Sequence, residues 1–519
     1  MAPRLCICAW FISNRRVRIY RSQGPQAVCA TAFANEPLQL IDLRDYGSLR
    51  CTPIEGALRN SFFFAELCCL PTGGRKIGRA PVRFAPQRLC IVALLALVSA
   101  IEVWAGPAHP PAGPPELVVA IGDVHNDFDD FVAILQRTGL TDKQNHWTGG
   151  KTTFVQVGDL LDRGPKPREV MDLMMALEKE AAQAGGRVVG LLGNHEVMNI
   201  MGDLRYVTPM NFASFADGDS EKRQKAAYED YVKWRSSHTA LLAELPQPME
   251  LTEAEWMARH PAGFVEQREA LGPTGRYGEW LRGHAVVAEI DGVIFLHGGI
   301  HPDLAKTKLD AMNKRIHDEI KAFDASKQYL QNEKLILPFF SFQEINSVLR
   351  AELSAEQKSR VPASNERQLK IQELLKLADW FSVRPDGPVW FRGYDQWTDE
   401  QGAPQASKIL EAYKATHIVV GHTVQKGGRM RARFSNKVFL IDTGMLSSYY
   451  PGGGASALEI CGDGQFIGVY LDEQVTVFDS AGSSPQHGGS AEHTRVGDGA
   501  VAAASPADRI CSAAGAGPK

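Results

Sequence analysis

Gly193-Asn194-His195-Glu196 follows the apolar run Val188–Leu192 without a break. The run reads as a strand. Four more stretches repeat the arrangement. Gly122-Asp123-Val124-His125 follows Leu117–Ile121, and Gly158-Asp159-Leu160-Leu161-Asp162-Arg163-Gly164 follows Phe154–Val157. His297-Gly298-Gly299 follows Val293–Leu296, and Gly421-His422-Thr423 follows Ile418–Val420. Helical signals come between the strands. Phe128, Phe131, Val132 and Leu135 recur at helical spacing. Pro167 suits a helix first turn, Val170, Leu173, Met174 and Leu177 share one face, and Gly185-Gly186 stops that helix. Alternating strands and helices predict an α/β fold. In open α/β sheets reactive groups gather outside the carboxyl ends of the strands, where all five motifs lie.

The rest of the chain is read around this frame. Phe434–Ile441, Ser456–Ile460 and Phe466–Leu471 read as later strands that form a second sheet. Two helix-rich stretches, roughly 210–282 and 303–380, read as insertions over the strand ends. The folded body is expected over about 116–479, followed by a Ser-, Gly- and Ala-rich tail, 480–519, expected to be disordered. Residues 1–80 show no defensible period, and are expected to be disordered or to reflect a misassigned start.

Residues 81–105 look like a secretory signal or an anchor. Arg83 and Arg88 precede the apolar run Leu89–Ile101, and a Pro-rich spacer follows. The run is shorter than the about 20 residues of a comfortable membrane span. Export to a periplasmic or other extracytoplasmic site is the expectation if this segment works as a signal; otherwise the protein is expected to be membrane-anchored, if 89–101 stays as an anchor, or cytoplasmic.

Composition narrows the function. The chain has 519 residues, 44% of them hydrophobic, enough for a large core. A net charge of −4 supplies no bulk basic field, so no nucleic-acid partner is expected. Seven of the nine cysteines lie within the first 90 residues, so a disulfide framework is not expected in the folded part. No Cys-x-x-Cys knuckle is present, so any metal must be held by nitrogen and oxygen.

The motif side chains suit that role. Asp123 and His125 stand one residue apart, so both face one side of an extended segment. Asp159 has two oxygens and can bridge two cations. Asn194 offers a neutral carbonyl oxygen to a metal and is also a candidate for binding substrate phosphate, and His297 and His422 add imidazole nitrogens. Two ions about 3.5–4 Å apart would clamp phosphoryl oxygens and activate a bridging hydroxide for in-line attack. Asp162 is placed to fix the tautomer of His195, which then protonates the leaving oxygen. Arg163 and Arg392 offer donors to phosphate. Manganese, iron or zinc all suit such a donor set, as divalent or trivalent ions. His284 and His301 are assigned structural roles, and His417 is assigned to its strand.

These motifs resemble those of the calcineurin-like metallophosphoesterases, in particular the PPP-type phosphatases. Gly193 to Asn199, Arg205-Tyr206-Val207 and Trp147-Thr148-Gly149-Gly150 are similar to the Shewanella-like protein phosphatases. The resemblance spans roughly residues 117–472. It implies a four-layer α/β/β/α sandwich with helical insertions. It also implies Asp123, His125 and Asp159 on one metal, Asp159, Asn194, His297 and His422 on the other, His195 paired with Asp162 as general acid, and Arg163 with Arg392 on phosphate. Two departures stand out. Asn126 occupies a position where many relatives have Gly, and would either narrow the approach to the first metal or contribute a donor. Asp442-Thr443-Gly444, followed by Tyr449 and Tyr450, replaces the eukaryotic-type C-terminal motif.

The preferred expectation is a phosphatase acting on a phosphorylated protein or a small phosphoester. The alternatives are a dinucleoside polyphosphate hydrolase and, against the intact ligand set, a metal-free binding module.

Overall fold

Strand β1 (Leu117–Ile121) is the hinge of the architecture, because it pairs in parallel with β2 (Thr153–Gln156) on one side and antiparallel with β9 (Ser456–Cys461) on the other. The computed structural model describes residues 117–245, 251–359 and 365–479, all within the unit Ala105–Lys519. The expectations for residues 1–80, for 81–105 and for the tail 480–519 lie outside the described residues. No helix among the described residues is long and apolar enough to cross a membrane.

The first sheet has six strands in the order β11-β10-β9-β1-β2-β3, where β3 is Arg187–Gly190, β10 is Gln465–Tyr470 and β11 is Gln474–Asp479. The second has five, β4-β5-β6-β8-β7, built from Val287–Ile290, Val293–Leu296, His417–Val420, Val438–Leu440 and Arg431–Arg433, named in that order. Two expectations are corrected here. Ser456–Ile460 and Phe466–Leu471 do not join the second sheet; they extend the first beside β1. Phe434–Ile441 is not one strand either. Phe434, Ser435 and Asn436 take positive φ values of 55°, 56° and 63°, a tight turn that folds β7 back on β8. A strand-like composition was overridden there by the turn-forming Ser435-Asn436 pair.

Alternation along the strands sets the layers. Val118, Ala120, Val155, Phe295, Val419, Phe439, Leu458 and Phe466, from both sheets, share one buried cluster between the sheets. Their neighbours Val119, Ile121, Phe154, Ile294, Leu296, Ile418 and Val420 turn outward into the clusters with the helices. Helix α1 (Phe128–Arg137) contributes Phe131, Ile134 and Leu135, and α2 (Pro167–Gln183) contributes Val170, Met174 and Leu177. Each such fully buried side chain contributes about 1.5–3 kcal/mol of transfer free energy. The result is the α/β/β/α sandwich.

Between the site-bearing strands run two helical segments, from Pro209–Phe215 to Arg276–Arg282 and from Leu309–Asn332 to Asn365–Leu375. Both converge behind helix α3 (Asn194–Met201). Gln267 and Arg268 hydrogen-bond Asn199, and the Phe342 amide donates to the Gly202 carbonyl at 2.8 Å. Against the expectation from cysteine usage, Cys461 at the end of β9 is disulfide-bonded.

Candidate metal centre

All five motifs meet at the carboxyl ends of β1, β2, β3, β5 and β6. The glycines serve close approach. A Cβ on Gly193 would overlap Asp159 Oδ1, and one on Gly421 would overlap Asp123 Oδ1. The turning itself falls on the reactive residues. His125, Asn126, Asp159, Asp162, Arg163 and His422 have φ values of 49°, 61°, 57°, 72°, 68° and 68°. Non-glycine residues in this region are uncommon and cluster at functional sites. The segment after Asp123 is therefore not extended, as expected from sequence, but coiled. The two side chains still converge, with His125 Nε2 3.8 Å from Asp123 Oδ2.

Asp159 is the centre of the cluster. Its Oδ2 lies 3.1 Å from His297 Nε2, 3.9 Å from His125 Nε2 and 3.8 Å from His195 Nε2. Asn194 Oδ1 is 3.0 Å from His297 Nε2, which is 3.1 Å from His422 Nδ1. Two buried groups able to hold a metal result, His125 with Asp159 and His195, and Asp159 with His297 and His422. Asp159 belongs to both. Asp123 lies between them, its Oδ2 3.8 Å from His125 Nε2 and its Oδ1 accepting from the His422 amide at 2.9 Å.

Backbone carbonyls orient the three imidazoles. His125 Nδ1 donates to the Leu161 carbonyl at 2.9 Å and His297 Nδ1 to the Val157 carbonyl at 3.1 Å. His422 Nε2 donates to the Trp390 carbonyl at 3.2 Å. Each ring is thus held with its other nitrogen free of hydrogen and turned into the cluster, the tautomer a metal ligand needs. These converging nitrogen and oxygen donors fit a bound metal.

The charges fit it too. Burial, then Asp442 and Asp159, push Asp123 well above the ordinary carboxylate range. Burial raises Asp442 to about 6, and its Oδ2 is buried without a hydrogen-bond partner. Burial also opposes the charge on Asp159, yet His297, His195 and His125 hold it well below its ordinary value. Burial first, then His195 and Arg163 for the one and His297 and Arg392 for the other, pushes the pKa of His125 and His422 well below the ordinary imidazole value. Crowded carboxylates beside imidazoles form a cradle suited to positive charge.

His195 differs. Burial disfavours its charge, but Asp159 and Asp162 outweigh burial and raise its pKa. Its Nδ1 donates to Asp162 Oδ2 at 2.6 Å, and its Nε2 faces Arg163 Nη2 at 3.1 Å. Arg163 Nη1 also contacts His125 Nε2. Arg392 sits at the rim, where its Nη1 donates to the His422 carbonyl at 3.0 Å and to Thr423 Oγ1 at 2.9 Å. Asn126 is buried and donates from Nδ2 to the Gly164 carbonyl at 3.2 Å, tying the first motif to the second.

Sequence reasoning left several supporting residues without a role. Glu196 is fully buried; its Oε2 accepts from the Asp159 and Gly193 amides, each at 2.8 Å, and its Oε1 from the Leu161 amide at 3.1 Å. A capping-box pattern at Gly193 was its available signal. Asn199 donates to Asp162 Oδ1 at 2.8 Å, a contact foreshadowed by its place one turn after His195. Gln267, which donates to Asn199 Oδ1 at 3.2 Å, had no local signal. His284 lies 3.4 Å from Glu178, and His417 is the first residue of β6, as assigned, with its ring packed at a tilt among Phe439, Phe466 and Phe478. His301 accepts from the Asp303 amide and starts a short 3-10 turn.

Comparison with known proteins places this geometry. Residues 117–426 match the family model for calcineurin-like phosphoesterases. An uncharacterised protein of Schizosaccharomyces pombe is 28% identical over 340 residues, 64% of this chain and 75% of its own length. Shewanella-like protein phosphatase 2 of Arabidopsis thaliana is 32% identical over 220 residues, 41% of this chain. The match spans only 54% of that relative's length. The crystal structure of a cold-active protein-tyrosine phosphatase of a psychrophilic Shewanella species aligns at 24% identity with a TM-score of 0.45, covering 70% of this chain and 81% of that one.

Proposed function

We propose that this chain, which belongs to the calcineurin-like phosphoesterase family, is a dinuclear metal-dependent phosphomonoesterase that acts on phosphorylated proteins. One observation carries the reading: Asp159 Oδ2 is approached by imidazole nitrogens from three separate motifs, so a single carboxylate is shared between two ligand groups. Asp123, His125 and Asp159 would hold one ion, and Asp159, Asn194, His297 and His422 the other. Bound metals supply Lewis acidity toward phosphoryl oxygens and lower the pKa of water at the site.

The remaining chemistry belongs to the side chains. Because His195 Nδ1 is committed to Asp162, Nε2 is the atom that hands a proton to the leaving oxygen. Burial opposes the charge on this ring, and Asp159 and Asp162 outweigh burial and raise its pKa, which favours the protonated form. Arg163 and Arg392 place guanidinium donors beside the same cluster, where negative charge on the phosphoryl oxygens is best stabilised. Asn194 presents its carbonyl oxygen inward and its amide nitrogen toward Met198 Sδ.

The test is a substrate panel on metal-reconstituted full chain, with manganese, iron and zinc compared. Phosphoserine, phosphothreonine and phosphotyrosine peptides are set against dinucleoside polyphosphates. Turnover of at least one phosphopeptide, abolished by chelation, is the expected result. Hydrolysis confined to the dinucleotides would replace the proposed substrate class.

A further inference from the structure

We infer that Tyr206, Tyr449 and Tyr450 form an aromatic cage that holds the Arg163 guanidinium ready for the substrate's phosphoryl group, an assignment that rests on the phosphoesterase reading above. Arg163 Cζ lies 5.3 Å from the Tyr206 ring centroid, 5.1 Å from that of Tyr449 and 5.4 Å from that of Tyr450. All three are within cation–π range, and three rings on one cation exceed chance packing at a protein surface. The rings arrive from two loops far apart in sequence, one after α3 and one after β8.

Among the described residues Arg163 has no carboxylate anchor, and its Nε is buried without a hydrogen-bond partner. That is unusual for a half-buried arginine and has a chemical reason here. A carboxylate anchor would compete with phosphate for the same fork of donors. A π face attracts the cation without offering a lone pair, so the donors stay free. They point inward instead, Nη2 to His195 Nε2 at 3.1 Å and Nη1 to His125 Nε2.

The loops are built to keep the rings in place. The Arg163 amide donates to the Tyr206 carbonyl at 3.1 Å, which ties one wall of the cage to the residue it holds. The amides of Tyr449 and Tyr450 both donate to the Leu446 carbonyl at 2.9 Å. Gly444, at φ 70°, leaves the space into which Tyr450 packs, because a Cβ there would come within 2.9 Å of the Tyr450 Cβ. The cage also accounts for two large rings left partly in solvent, Tyr206 at 37% and Tyr449 at 52% exposure. The tyrosines are positioning residues that act through Arg163.

The experiment measures binding of inorganic phosphate to the metal-loaded full chain by calorimetry, alongside KM and kcat for a phosphopeptide. Variants are Tyr449→Leu, Tyr206→Leu, their combination, the matching Phe substitutions, and each Leu change on an Arg163→Ala background. The double Leu variant is expected to weaken phosphate binding and raise KM by about 10-fold, from two lost cation–π contacts. The Phe variants, which keep the π faces, restore binding. On the Arg163→Ala background the Leu changes add nothing. Metal content and melting temperature identify a variant that fails to fold, and Tyr449→Leu alone, at the most exposed ring, then carries the test. Unchanged phosphate affinity in the Leu variants, or a full additional loss without Arg163, overturns the cage. Failure of the phosphoesterase reading looks different: the parent protein would turn over no phosphoester, while phosphate binding still reports on the cage.

Discussion

Within one motif, neighbouring residues do separable work, and substitution can tell them apart. Asp159 belongs to both ligand groups, whereas His195 has its Nδ1 committed to Asp162. His195→Ala is therefore expected to keep its metal and lose about 10²–10⁴-fold in kcat. Asp159→Asn is expected to lose metal as well as activity. Elemental analysis beside turnover checks this, and equal metal with equal residual activity in both would contradict the roles. Glu196 makes a different prediction. Its carboxylate satisfies three buried amides, those of Asp159, Gly193 and Leu161. Glu196→Ala strands all three and is expected to cost about 3 kcal/mol or more. A fall in melting temperature of at least about 5 °C reads it. That the motif side chains converge was legible from sequence, because each follows a strand whose carboxyl end faces the same crevice. Glu196 and Asn199 were less so, since a carboxylate that binds amides and an amide that binds a carboxylate look like surface residues until their burial is known. Gln267 was not legible at all: only the tertiary fold brings it to Asn199.

Elements were read well where a pattern is local and poorly where pairing decides. Continuous apolar runs identified β1, β2, β5 and β6, and helical spacing identified α1 and α2. Sheet membership was misjudged for β9 and β10, because nothing in a strand's own residues states which edge it will join. The partner choice is visible only in register, such as Leu458 opposite Ala120. His417 shows how such pairing tunes a side chain. As the first residue of β6 it is packed 4.6 Å from the Phe466 ring and 5.4 Å from that of Phe478, in the space the misjudged strands provide. Burial there lowers its pKa to about 4. A free histidine takes up its proton near pH 6.5. Above that value neither state is charged, and His417 does not affect the balance. Between about 6.5 and 4 the unfolded chain binds a proton that the folded one refuses, so stability falls as pH falls. Compared with the parent, His417→Leu is expected to flatten the decline in melting temperature across that window. Parallel curves for the two proteins would show that the ring is already charged when folded.

At the scale of the molecule, the two sheets and the two helical segments divide the labour. The sheets deliver ligands from strand ends. The helical segments brace the far end of α3, through Gln267, Arg268 and Phe342, and so stiffen the helix whose first turn carries Asn194 and His195. The family resemblance made the sheet plan readable in advance; it left the bracing unread, because insertions carry no shared motif. Compartment is a separate matter, on which two independent features agree. The basic residues before the apolar run Leu89–Ile101 have the form of an export signal, and Cys461 is disulfide-bonded. Disulfides persist where the surroundings are oxidising and are rare in the cytosol. We propose that the protein is exported and that its mature chain begins after the apolar run, ahead of β1. Fractionation of native cells, N-terminal sequencing and thiol labelling test this together. The expected outcome is an extracytoplasmic protein that starts downstream of Ile101 with Cys461 protected from alkylation until reduced. A cytosolic chain that retains peptides from residues 1–80 and has a freely alkylated Cys461 would remove both supports at once, and the pair must be judged jointly, because a signal without the bridge would still export an enzyme whose metal centre needs no thiol.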